Sequence, residues 1–211
     1  MEFLMFFWVL FSRRQDNTDI PPIYDDELVD RAKQGDKKAL DVLYHKYKRP
    51  ILNYIYRFVG NFHHAEELAQ ETFVRVYMNI SRYEKTGKFS SWVYTIAGNL
   101  SRNFLRDRKH VNEVSIDESI TEEGSVTLLD VIQDKGKLPD EQALAEEKEK
   151  LIQQGINQLK PKHKDVIILC DIQGLPYDEV AKILKCPSQT VGSRLSRARE
   201  NLARILGFKD L

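Results

Sequence analysis

Through most of the chain, apolar residues return every three or four positions, the period of a helix with one buried side. A first helix opens at Asp25 or Asp26, turns Leu28, Val29 and Ala32 inward, and ends at Gly35-Asp36. A second carries Ala39, Leu40, Leu43, Tyr44 and Tyr47 on one face, and Pro50 opens a third with Ile51, Tyr54, Ile55 and Phe58, stopped by Gly60-Asn61. From Ala65 to Ile80 the inward set is Leu68, Ala69, Phe73, Val76 and Tyr77, leaving Glu66, Glu67, Gln70, Glu71 and Arg75 outside. A further helix starts at Phe89, with Ser90 as its cap, and runs to the basic tail Arg102, Arg106, Arg108 and Lys109. After Pro139, a helix from Ala143 to Leu159 faces Leu144, Leu151, Ile152 and Ile156 inward; Lys160-Pro161 breaks it, and a buried helix over 165–172 ends near Gly174. No useful stretch alternates in the strand manner. The expected fold is all-α, with helical modules at 25–110 and 142–211, a connector of weak periodicity at 111–141, and an extension at 1–24.

The most informative pattern lies between Pro176 and Ile205. Val180, Ile183 and Leu184 form one face of a short helix whose first turn holds Asp178 and Glu179, where the helix dipole favours negative charge. Lys185-Cys186-Pro187 stops it, and Ser188 stands as an N-cap candidate for a second helix. That helix buries Val191, Leu195, Ala198 and Leu202. Opposite them fall Gln189, Thr190, Ser193 and Arg197, with Arg194 and Arg199 at the flanks. Four arginines against one acid between Ser188 and Arg204 suit a helix lying in the major groove. Arg can take guanine bidentately, while Gln, Ser and Thr can reach other base edges. A solvated amphipathic helix is the plainer alternative for this segment alone.

Charge distribution changes the picture that the net charge gives. The 211 residues sum to zero, which alone argues against a nucleic-acid binder. Residues 1–110 nevertheless hold 18 basic and 14 acidic side chains, 111–150 hold 4 and 12, and 151–211 hold 10 and 6. Two mildly basic blocks thus flank an acidic connector. That connector serves either as a solvated tether or as a strand passing through a basic channel. The acidic face Glu66, Glu67, Gln70 and Glu71 invites a basic protein partner, with plain solubility as the alternative.

Tyr83, Lys85, Lys88, Phe89, Ser90, Trp92, Tyr94, Asn99, Arg102 and Arg106 interleave aromatic, polar and cationic groups. Such a surface suits single-stranded nucleic acid, bases stacking on rings while cations follow the phosphates. Phe89, Trp92 and Ile96 also fit a plain helix core, and both roles are compatible if Trp92 is mostly packed. Cys170 and Cys186 make neither a metal-ligand spacing nor a disulfide framework, and suit a reducing cytoplasm. The five histidines form no ligand cluster, so neither a metal nor a cofactor is expected. No nucleophile-base pair or phosphate loop suggests an enzyme, and there is no sign of a catalytic residue or a small-molecule substrate. The apolar run Phe3–Phe11 is too short to span a bilayer. It lacks a basic leader and a cleavage site, so it is read as an accessory or mis-started tail.

Taken together, four stretches resemble bacterial RNA polymerase sigma factors of the sigma-70 family, extracytoplasmic-function (ECF) type. Gly35-Asp36…Ala39…Leu43-Tyr44…Tyr47 resembles the start of sigma region 2. Ala65-Glu66-Glu67-Leu68-Ala69-Gln70-Glu71-Thr72-Phe73 resembles the segment that docks on the polymerase clamp. Phe89 to Asn99 resembles the promoter-melting segment. Leu159 to Val166, Gly174 to Ala181 and Thr190 to Arg199 resemble region 4. Gly192 departs from the family, which often carries Lys or Arg there, as does Lys185 at a turn position where Gly is frequent.

The resemblance implies a cytoplasmic factor with core RNA polymerase, promoter DNA and an anti-sigma factor as partners. Glu66, Glu67, Leu68, Gln70, Glu71 and Phe73 would meet the polymerase. Ser188, Gln189, Thr190, Ser193, Arg194, Arg197 and Arg199 would read the upstream promoter element as duplex. The residues from Tyr83 to Arg106 named above would hold the opened downstream element, and the acidic connector would thread near the polymerase cleft.

Overall fold

The computed structural model describes residues 25–85, 87–114 and 139–208, with side chains throughout except at 109–114 and 139–146. The Phe3–Phe11 run and most of the connector lie outside the described residues. Every regular element among those described is helical.

Helices α1 (Asp25–Lys33), α2 (Lys37–Val59), α3 (Phe62–Asn79) and α4 (Phe89–Val114) build the first module, with a short 3-10 turn at Ile80–Arg82. Asp36 caps α2, its carboxylate accepting from the Lys38 and Ala39 backbone N–H groups at 2.9 and 3.3 Å. The Arg31 guanidinium bonded to Asp36 holds that carboxyl below its ordinary range. The second and third helices expected from the sequence are one. Pro50 lies inside α2, although proline removes an i→i−4 bond there. The helix continues because Tyr47, Ile51, Tyr54, Ile55 and Phe58 form one uninterrupted buried stripe.

Gly60 ends α2 in the left-handed region (φ 80°), with its N–H on the Tyr56 carbonyl. A side chain there would also strike Asn157, whose amide lies 2.7 Å from the β-carbon position. Asn61 then caps α3, accepting from His64 N–H at 3.0 Å, so α3 begins three residues earlier than its apolar pattern suggests. Tyr77, expected inside, is 62% exposed; Val76 takes the core position, and Tyr77 lies one step beyond the stripe. Ser90 does not cap α4, because the helix already includes Phe89 and its first turn bonds back from Trp92 N–H to the Lys88 carbonyl.

The second module comprises α5 (Pro139–Gln158), α6 (Pro161–Val166), a π-helical turn at Ile167–Ile172, α7 (Tyr177–Leu184) and α8 (Ser188–Ile205). Pro161 opens α6 at a position where its missing N–H costs nothing. In the π-turn, Gln173 N–H reaches back five residues to the Ile168 carbonyl at 2.8 Å, and Leu175 N–H reaches the Leu169 carbonyl at 2.9 Å. One residue more than an α-helix needs is thereby taken up. Ile167, Ile168 and Leu169 are fully buried. In α5, Ile152 and Ile156 face the core as expected, but Leu151 is half exposed; Gly155 takes the inward place, against Leu202 and Leu206.

The modules pack directly on each other. α2 meets α5, and α4 meets α7.

Candidate nucleic-acid and polymerase interfaces

The turn between α7 and α8 is tight because Lys185 adopts φ 50°, ψ 50°. Left-handed geometry is unusual for a residue with a β-carbon; here the following Cys186 N–H returns to the Ala181 carbonyl at 3.0 Å. Ser188 is the first residue of α8 rather than its cap, and Pro187 precedes it without a side-chain cap. The Ser188 hydroxyl donates instead to Asp178 Oδ1 at 2.6 Å. A charged acceptor makes the stronger bond, and this one ties the two helices together.

Along α8, Val191, Leu195, Ala198 and Leu202 are at most 1% exposed. Gln189, Ser193 and Arg197 project to solvent on the other side, with Thr190 and Arg194 half-buried beside them. Arg194 points a guanidinium N–H at Cys186 Sγ, 3.8 Å away. Arg199 is held by Asp171 through two bonds of 3.0 and 2.5 Å.

The aromatic-basic segment divides by burial. Tyr83, Phe89 and Tyr94 are core residues, 6%, 2% and 3% exposed. Tyr83, Phe89 and the half-buried Trp92 form a ring cluster with centroids 4.9–5.7 Å apart. The Tyr83 hydroxyl donates to the Gly87 carbonyl at 2.7 Å, closing the 83–88 loop on itself. The buried rings therefore stiffen the loop and present no free face, while Lys85, Lys88, Asn99 and Arg106 are exposed. Arg102 is half-buried. It donates to Asn99 Oδ1 at 2.8 Å and to both oxygens of Asp165 at 2.9 and 3.0 Å.

On α3, Glu66, Glu67, Gln70 and Glu71 all face solvent. Glu67 lies 3.2 Å from His64 Nδ1 and 3.4 Å from His63 Nε2, and Glu71 pairs with Arg75. Leu68 is buried at 8%, and Phe73 is half-buried edge-on to Tyr44, so these two support the face from beneath. Periodicity did not flag Val74, Tyr77 and Met78, which are 50–70% exposed beside the acids. The clue in the sequence is that α3 carries more large apolar residues than one stripe can bury.

Comparison with known proteins fits this geometry. Residues 43–111 match the family model described as Sigma-70 region 2, and residues 149–202 match Sigma-70, region 4. The molecule is thus a two-module promoter-recognition factor of the sigma-70 class. The RNA polymerase sigma-H factor of Pseudomonas aeruginosa is 34% identical over 86% of this chain and 93% of its own length. The ECF RNA polymerase sigma factor SigW of Bacillus subtilis is 35% identical over 84% and 94%. In fold, the chain resembles CnrH in complex with the cytosolic domain of CnrY (TM-score 0.63, 19% identity, 88% of this chain and 99% of that one). It also resembles RpoE of Bartonella quintana in complex with the anti-sigma factor NepR (TM-score 0.62, 21% identity, 82% and 99%). The chain belongs to the ECF sigma factors of the sigma-70 family. Its function is to bind core RNA polymerase, direct it to specific promoters and assist strand opening.

Proposed function

We propose the following division of labour. Residues 25–110 dock on polymerase and hold the opened downstream element, residues 142–211 read the upstream element as duplex, and the acidic 111–141 stretch tethers the two. The reading rests most on α8: Gln189, Ser193 and Arg197 stand exposed directly behind a stripe that is at most 1% exposed. That is how a helix presents itself to a groove while anchored from behind. Lys85, Lys88, Asn99, Arg102 and Arg106 follow the opened strand, with the buried Tyr83, Phe89 and Tyr94 stiffening the loop and helix that carry them.

The acidic side of α3 meets basic residues of the polymerase clamp, and the exposed Val74, Tyr77 and Met78 add apolar contact to that face. The chain does no covalent chemistry of its own. It works in the cytoplasm, and among its described residues no helix is long and apolar enough to cross a membrane. An anti-sigma factor restrains it, in the way that the complex of RpoE with NepR illustrates for that protein.

The test is promoter-directed synthesis from purified components. Core polymerase plus this chain should initiate at defined starts, whereas a duplex-binding regulator alone would need another sigma factor. Glu67→Lys combined with Glu71→Lys should reduce holoenzyme assembly while the helical circular-dichroism signal stays unchanged. Normal assembly by that double variant would remove the docking assignment.

A further inference from the structure

α2 and α3 leave a half-open groove between them, about 290 Å³ in volume. Leu40, Leu43 and Tyr44 of α2 and Phe73, Val76 and Tyr77 of α3 line it. Tyr44 and Phe73 meet edge to face with centroids 4.9 Å apart, so two rings form its wall. Tyr77 at its mouth is 62% exposed, and Val74 and Met78 on the same helix are 50% and 70% exposed. These residues set an apolar strip against water, and such a strip marks a surface with a partner. Along α3 towards its N-terminus the strip gives way to Glu71, Gln70 and Glu67, all facing solvent.

The chain itself supplies a matching segment, outside the described residues. Phe3–Phe11 holds nine residues without a charge, among them Trp8, and Ser12-Arg13-Arg14 follows. Apolar then cationic along the segment answers apolar then acidic along α3, which is charge complementarity in a fixed direction. The point of attachment is close. Asp25, the first residue of α1, bonds Lys46 at 2.5 Å and accepts from the Tyr47 hydroxyl. Tyr47 lies three residues beyond Tyr44 on α2, about 5 Å along the axis. Its ring centroid is 5.6 Å from that of Phe89, which also lines the groove. Fourteen residue steps separate Phe11 from Asp25, an extended reach of about 45 Å. The segment therefore reaches the groove with length to spare, and its tether holds it there at a concentration on the order of millimolar.

We propose that Phe3–Phe11 docks in the α2–α3 groove of its own chain, with Arg13 and Arg14 over Glu67 and Glu71. Removal of two apolar surfaces from water drives the contact, and the arginines set its direction. The rim of the groove also belongs to the face assigned above to polymerase, so the segment and the clamp exclude each other there. That consequence rests on the polymerase assignment; the docking does not.

Trp8 reports the contact. The chain has two tryptophans, so the difference in emission between a chain and its Trp8→Phe counterpart isolates this one. On the purified full-length protein, that difference should be blue-shifted and shielded from acrylamide. Val74→Ser combined with Tyr77→Ser alters two exposed side chains and no charge. It should shift Trp8 emission to the red and open it to the quencher while the helical circular-dichroism signal stays unchanged. Should that variant lose helix, Arg13→Glu combined with Arg14→Glu, which lies outside both helical modules, must still raise the quenching. Trp8 as open to acrylamide as free indole in the wild type, or equally shielded in wild type and folded groove variant, would overturn the docking. Shielding that vanishes on dilution would overturn it in favour of a second copy, and shielding that needs phosphatidylglycerol vesicles in favour of a lipid surface. Deleting residues 1–14 should tighten holoenzyme assembly. Unchanged assembly with Trp8 shielded in the wild type would remove the clamp contact at Val74 and Tyr77 and leave the docking standing.

Discussion

Arg199 and Asp171 form a two-pronged pair, with Nε to Oδ2 at 3.0 Å and Nη2 to Oδ1 at 2.5 Å. Asp171 is nearly enclosed, its side chain 7% exposed, while the Arg199 side chain is 38% exposed. The bond joins α8 to the π-turn and raises the Arg199 guanidinium above its ordinary range. Asp171→Ala should lower stability by about 1 kcal/mol, below the range for a fully buried charged hydrogen bond because one partner is partly solvated. Urea denaturation checks this. In band-shift assays, Arg199→Ala should weaken binding to all promoter sequences alike, since this arginine sets the tilt of the helix.

Arg197 has the opposite character. It is exposed on the free face of α8. Arg197→Ala should weaken promoter binding by about 1–3 kcal/mol and relax base choice at one position of the upstream element. Binding measured across a panel of single-base promoter variants reads this directly. A uniform loss across the panel would reassign Arg197 to phosphate contact.

Gly192 lies inside α8, and a β-carbon there would meet only a ring carbon of Tyr177, at the ordinary contact distance of 3.7 Å. No close approach requires glycine. Gly192→Ala should therefore stabilise the module by about 0.5–1 kcal/mol through helix propensity, seen as a higher melting midpoint. Gly192→Arg should steepen the salt dependence of DNA binding by about one phosphate contact.

His163 is 8% exposed. Burial first, and then the charges of Lys162 and Lys160, hold its pKa below the ordinary 6.5. A lowered folded value means that its contribution is fully present above about pH 6.5 and is lost as pH falls through the folded value. Stability should therefore decline on acidification from neutral pH, and His163→Gln should flatten that decline. Asp165 acts in the opposite sense. Its pKa is raised by burial, against the pull of Arg102 and Tyr54, so its term favours folding at low pH. Comparing wild type with the His163 variant at each pH isolates the histidine.

Most helices were legible because their buried stripes are regular; α1, α7 and α8 needed nothing else. The merger across Pro50 was not legible, because local backbone preference says stop and only the packing of Tyr47, Ile51 and Tyr54 along one stripe says continue. Burial of Tyr83 and Tyr94 could not be read either, whereas Phe89 already fitted a helix core by its spacing. An aromatic residue beside lysines has the same one-dimensional signature whether its ring lies under the surface or on it. The ion pairs of Asp165 with Arg102, Asp171 with Arg199 and Glu179 with Lys88 were hidden for a related reason. Each is an ordinary acid in sequence and acquires its role from a cation 28 to 91 positions away along the chain, contacts that periodicity cannot see.

The π-turn at Ile167–Ile172 sets the phase of everything downstream of it. Removing one residue between Val166 and Asp171 would leave a regular α-helix of better hydrogen-bond geometry, yet it would rotate Asp171 by about 100° relative to the preceding helix. Arg199 would then face an empty wall. The surplus residue works as a vernier, trading local regularity for the angle at which α8, the helix proposed to read the promoter, is held.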